Sequence, residues 1–273
     1  MRKPLIITFV AALLLPLGLL AQEEGEDAAP APLSQEEGED AAPAPLSSVW
    51  FIIPKQGMEA EFAVAAAAEI TARVAAGETR EWQAYRVVVG HNMDAIQYRA
   101  CCFNWADQDT HEAQDAELGL SASWGANVGP FVDHYHHYFE RGDWENSHWP
   151  DEGTSGPLYG VTSWDVKQGA GPASRQAREK LSQIGITEGW VSDENNWLWL
   201  TRIGGKPMLA IVSSFENYAD MEAPEPSFFE FVTEKLGEEE AGALFSQFGS
   251  GFTNSDYTVW EYDASLSTPS TDE

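Results

Sequence analysis

Residues 48 to 267 read twice, and that duplication limits the fold more than any other feature. The first pass carries Lys55-Gln56-Gly57, then Trp82, then Asn104-Trp105-Ala106-Asp107. The second carries Lys167-Gln168-Gly169, then Trp197, then Asn217-Tyr218-Ala219-Asp220. Lys and Asn lie 49 residues apart in the first pass and 50 in the second. A repeat of about 110 residues is the size of a domain, so it marks a duplicated domain rather than a solenoid.

Ahead of the duplication, residues 1–21 read as a cleaved signal peptide. Arg2 and Lys3 precede an apolar run that is too short for a span of roughly 20 residues, and Pro16 breaks it. Export to the periplasm or beyond, without a stable membrane anchor, is the expectation. Residues 22–47 form a tandem repeat of Gln-Glu-Glu-Gly-Glu-Asp-Ala-Ala-Pro-Ala-Pro-Leu-Ser, with eight acids, no bases and four prolines. Such a segment buries no core and is expected to be an extended, disordered leader. Without residues 1–21 the chain keeps 13 bases against 44 acids. That balance makes nucleic acid and anionic membrane surfaces poor partners. Cys101 and Cys102 are the two cysteines. Strand neighbours point to opposite faces, so this pair is not expected to bridge, and a disulfide scaffold is excluded.

The second copy gives the clearer element pattern. Strands are expected at 158–166, 196–203, 207–215 and 255–265, with helices at 173–184 and 227–248. Ser227 and Glu230 have capping-box spacing, and Gly204-Gly205 reads as a hairpin. The first copy repeats the order with strands at 49–54, 82–89, 95–104 and 133–141. Its helices are expected at 58–76 and 106–132. Each copy is therefore a β-α-β-β-α-β ferredoxin-like unit. The units are expected at 48–142 and 157–267, joined by a linker at 143–156 and followed by a disordered tail at 268–273. One such unit leaves a bare sheet face, which two tandem units can cover for each other.

In this order of elements, in the Lys-Gln-Gly turn and in the Asn-aromatic-Ala-Asp word, the chain resembles the dimeric α/β-barrel superfamily in its fused form. It is similar in particular to exported members of that superfamily. The resemblance implies an α+β fold with two sheets face to face as a pseudo-dimeric barrel, either monomeric or assembled into a homo-oligomer. The superfamily includes antibiotic-biosynthesis-type monooxygenases, haem-degrading oxygenases and chlorite dismutases. Fold does not fix chemistry here.

All six histidines lie ahead of the second copy, which has none. On a strand at 133–141, His134, His136 and Tyr138 share one face, while His137 shares the other with Tyr135. His134 and His136, with His111 from the preceding helix, make a candidate metal set. Chlorite dismutases take their axial haem ligand from the C-terminal half, where this chain has no histidine. An axial ligand would have to come from the first copy. Haem-degrading oxygenases use an Asn, a Trp and a His, for which Asn104, Trp105 and His111 are the available counterparts. The competing reading is a cofactor-free binder or enzyme for a small aromatic or apolar molecule. Its cavity would be lined by Trp82, Tyr98, Cys102, Trp164, Trp197, Trp199 and Trp260, with His136, His137, Arg86 and Tyr138 as acid–base candidates. A non-catalytic exported interaction module is the third reading.

Overall fold

The computed structural model describes residues 44–150, 156–192 and 195–269. The signal peptide and nearly all of the acidic leader lie outside the described residues. The first half runs β1 (Leu46–Pro54), α1 (Glu59–Ala76), β2 (Gln83–Val89), β3 (Ile96–Phe103), α2 (Trp105–Leu118), α3 (Leu120–Asn127) and β4 (Val132–Gly142). The second runs β5 (Leu158–Val166), α4 (Gly171–Thr187), β6 (Leu198–Ile203), β7 (Met208–Phe215), α5 (Phe228–Leu236), α6 (Glu238–Gly249) and β8 (Phe252–Tyr262). Both halves therefore follow β-α-β-β-α-β, with the second helical stretch of each divided in two. Gly119 (φ +66°) ends α2, and Gly237 (φ +84°) separates α5 from α6. Only glycine adopts that left-handed backbone without a Cβ penalty, so the single helices expected at 106–132 and 227–248 break there.

The repeated words fold alike at the turn and differ at the helix. Gly57 and Gly169 take φ values of +80° and +82° after their first strands. Asn104 and Asp107 form a capping box that starts α2. Asn217 instead accepts from the Ala219 N–H and donates to Asp220, closing one 3-10 turn at Ala219–Met221. In the second half the long helix starts later, at the Ser227/Glu230 box.

The eight strands close into one antiparallel barrel, in the order β1-β3-β2-β8-β5-β7-β6-β4. Each half supplies four consecutive staves, and the halves join at two seams, β2 with β8 and β4 with β6. Closure leaves no unpaired sheet edge. The strands also reach past the expected unit boundaries. Leu46 and Ser47, the last residues of the second leader repeat before Ser48, are buried in β1, at 1% exposure each. At the other terminus, Thr268 exchanges hydrogen bonds with Trp82 of the opposite half.

Helices pack on the outside of the barrel. In the first half Phe62, Ala66 and Ile70 of α1, spaced one turn apart, meet Ile52, Ala84, Ile96, Tyr98 and Ala100 on the outward strand faces. In the second half α4, α5 and α6 bury Ala177, Leu181, Val232, Ala241 and Leu244. Strand alternation then sends the other residue set inward: Gln97, Arg99 and Cys101 on β3, and His136, Tyr138 and Glu140 on β4.

Candidate functional site

The barrel encloses a cavity of about 940 Å³ to which all eight strands contribute side chains. Small-molecule sites commonly span roughly 300–1,000 Å³. Phe51, Tyr85, Tyr138, Tyr159 and Trp260 supply much of its aromatic surface, and Arg99, Glu140 and Arg202, with Glu81, Lys206 and Asp256, its charge. The two halves line it differently. β2, β3 and β4 contribute Gln83, Gln97, Arg99, His136 and Glu140, whereas β5, β6 and β7 contribute mainly apolar groups, Val161, Leu198, Leu200, Met208 and Val212, with Ser163 and Arg202 as polar exceptions. The cavity is amphipathic across the duplication.

Along β4 the inward positions form a ladder. His136 is exposed near one mouth, Tyr138 is buried behind it, and Glu140 is buried deeper still. The Arg202 guanidinium, arriving from β6, sits 3.9 Å from the centre of the Tyr138 ring. Its Nε is buried without a hydrogen-bond partner. Arg99 donates from Nη2 to Ser47 Oγ at 2.7 Å, and its Nε lies 4.0 Å from Glu140 Oε2. Burial pushes the Glu140 carboxyl above its ordinary pKa, against the pull of both arginines. Burial likewise raises the Tyr85 and Tyr138 phenols, so both remain neutral hydrogen-bond donors.

Several expected site residues lie on the other side of the wall. Of the seven residues expected to line the cavity, Trp260 and Cys102 do so. The Trp82 indole donates to Glu78 Oε1 at 3.0 Å, and Trp199 donates to Ser182 Oγ on α4 at 2.9 Å. Trp197 donates to the Asn146 carbonyl at 2.9 Å, and Trp164 stacks on Phe252 with ring centres 5.4 Å apart. Tyr98 packs on Trp124 of α3. The physical reason is that helices cover the outward faces, and the bulky rings fill the space beneath them. Arg86 also points outward and pairs with Asp263.

Of the acid–base candidates, the structure brings His136 and Tyr138 together on the inner face. His137 borders the cavity, but its ring stacks on Trp50 at 4.2 Å and its Nε2 bonds Ser48 Oγ at 3.0 Å. Of the metal candidates, His134 and His136 are neighbours, with ring centres 5.2 Å apart, and His134 pairs with Asp133 at 2.7 Å. His111 lies elsewhere, with its ring on Phe103. Among the described residues no group of three or more His, Cys, Asp or Glu side chains is placed to hold a metal ion. Asn104 caps α2 and Trp105 packs on Phe139, so neither joins a pocket with His111. Cys101 and Cys102, expected to diverge, are joined as a disulfide beside the cavity. The opposite-face rule holds for a trans backbone, and the peptide between them is cis.

Haem would need an axial imidazole aimed into an apolar slot that accepts the macrocycle. The second half has no histidine, and its helix layer is filled by Trp164, Trp199 and Phe248. His136 is exposed, and the wall deeper along its strand is charged. These residues do not fit a resident haem.

No protein-family profile and no curated protein matches the chain. Solved structures with a similar course of chain exist. One is a candidate monooxygenase from Lactobacillus acidophilus, at 9% identity and TM-score 0.47, covering 80% of this chain and 94% of that one. Another is a mutant chlorite dismutase from Candidatus Nitrospira defluvii, at 10% identity and TM-score 0.46, covering 81% and 93%. A third is a haem-binding protein from Thermus thermophilus, at 11% and 0.39, covering 82% and 95%. The two β-α-β-β-α-β halves and their closed strand order decide the architecture. The fold is a fused dimeric α/β barrel. At these identities and TM-scores the likenesses say nothing of the contents of the cavity.

The sequence reading missed Arg99, Glu140, Arg202, Tyr85 and Tyr159. A signal for them was present: Gln97, Arg99 and Cys101 alternate with Ile96, Tyr98 and Ala100. In a barrel jacketed by helices, the apolar set of such a strand goes outward and the polar set inward.

Proposed function

We propose that this protein is an exported binder of a small aromatic molecule, which it takes into the barrel. The observation that carries the reading is the 940 Å³ cavity whose aromatic rings and apolar second-half wall face polar first-half groups. Apolar walls with a few placed polar groups are what such ligands require. If the bound molecule is also transformed, proton movement falls to the β4 ladder. Glu140 has a raised carboxyl pKa and Tyr138 a neutral phenol.

The test is titration of the purified protein with 2-naphthamide, a neutral flat aromatic, followed by calorimetry. Saturable one-to-one binding is expected, and it should be lost in Val161→Trp, which fills the cavity from β5, while circular dichroism stays native. Absence of saturable binding, or binding indifferent to Val161→Trp, contradicts the reading. Protein produced in haem-replete cells is expected to lack a Soret band; a stoichiometric Soret band would replace the aromatic ligand with haem.

A further inference from the structure

We infer that the barrel recognises an anion: its ligand carries a carboxylate or an equivalent acidic group, which Arg202 and Arg99 hold while the apolar body lies on the second-half wall. This deepens the proposed binding of an aromatic molecule and rests on it. Three observations point the same way.

The deep wall is short of negative charge. Two guanidiniums, from β3 and β6, face the same cavity; its lining also holds Glu81, Asp256 and Lys206, but Glu140 is the carboxyl group that both arginines act on. Within this group of three, one positive charge is in excess with Glu140 ionised and two with Glu140 protonated. A ligand anion lowers the electrostatic energy in either state. This occurs in a chain with 44 acidic against 15 basic residues, where most basic side chains have carboxylates near at hand.

The arginines are not spent on Glu140. Arg99 approaches it no closer than 4.0 Å, longer than a charge-assisted hydrogen bond, and gives its short contact to Ser47. No carboxylate among the described residues lies within 4.0 Å of the Arg202 guanidinium. Its Nε is buried with no partner, a costly arrangement that an incoming acceptor relieves. Arg202 is also held in place, because its plane lies on Tyr138. A guanidinium fixed in this way binds a planar carboxylate with little loss of side-chain freedom.

Polar side chains gather on the first-half wall and on Arg202, opposite a mainly apolar stretch of the second-half wall. An acidic head toward β3 and β4 leaves an aromatic body against Val161, Leu198, Leu200 and Val212. A wholly apolar ligand would leave the buried Arg202 Nε without an acceptor.

The experiment compares 2-naphthoate with 2-naphthamide, which share shape and differ in charge, by calorimetry at pH 7.5 and fixed salt. In the unmodified protein naphthoate should bind at least about tenfold more tightly, the scale of one charge-assisted contact. Arg202→Gln should reduce that ratio to near one. Glu140→Gln should widen the ratio, because it removes the competing charge. Opposite signs from two neighbouring substitutions are not expected of a merely structural cluster. Equal affinities in the unmodified protein, or a ratio unmoved by both variants, overturn the anion while leaving the cavity as an aromatic site. Failure of both probes to bind overturns the aromatic reading itself, and the anion with it.

Discussion

The two faces of one barrel wall use the same residue types for opposite ends. On the outer face Trp82, Trp197 and Trp199 are nearly covered, and each indole N–H has a bonded partner. On the inner face Tyr85, Tyr138, Tyr159 and Trp260 surround an opening and stand beside two guanidiniums and a carboxyl group. Ring count therefore does not locate a ligand site. An aromatic residue packed under a helix contributes to stability, while one facing the lumen contributes to recognition.

The largest expected effect that sharpens this contrast is on the outer face. Trp199→Ala removes a 7% exposed ring together with its Ser182 bond, and should destabilise the protein by about 3–5 kcal/mol in urea denaturation. Trp260→Ala on the inner face should cost less than half as much, yet weaken 2-naphthamide binding about tenfold or more. Equal stability losses at the two positions would break the contrast.

A smaller effect separates the faces by pH. Glu140 has a raised folded-state pKa, so it binds its proton more tightly in the folded protein. Its share of stability is present below the ordinary glutamate value and is lost as pH rises through the raised one. His137, engaged with Trp50 and Ser48, has a pKa lowered by burial, and so has His111 beside Phe103. Their share is present above the ordinary histidine value and is lost as pH falls toward the lowered ones. Thermal unfolding across pH 4 to 8 should therefore show Glu140→Gln removing a loss on the rising side. His137→Gln should remove a loss on the falling side, and its effect should be the smallest of the four. Shifts of the same sign in both variants would contradict the assignment.

The sequence showed the fold well and the site only in part. Matched words at matched spacing, with glycine turns at Gly57 and Gly169, were enough to read two ferredoxin-like halves. The helix breaks at Gly119 and Gly237 were harder to read, because an isolated glycine is also tolerated inside helices. The site was misread for a topological reason. Alternation assigns residues to two faces but does not say which face is inward, and a one-face error sends a whole strand's side chains to the wrong side. Trp82, Tyr98, Arg86 and Trp199 followed that error. His136 and Tyr138 escaped it, because the candidates on that strand cover both of its faces. Arg202 was invisible until closure of β4 against β6 brought it over Tyr138, a contact 64 residues away in sequence.

The most direct test of the inward polar face as the ligand wall is a crystal structure of the complex with 2-naphthoate. The account predicts the naphthyl ring inside the barrel against Leu198 and Leu200, with its carboxylate within hydrogen-bonding distance of Arg202. A probe lodged under the helices beside Trp199 or Trp82, with the barrel interior left to solvent, would contradict it.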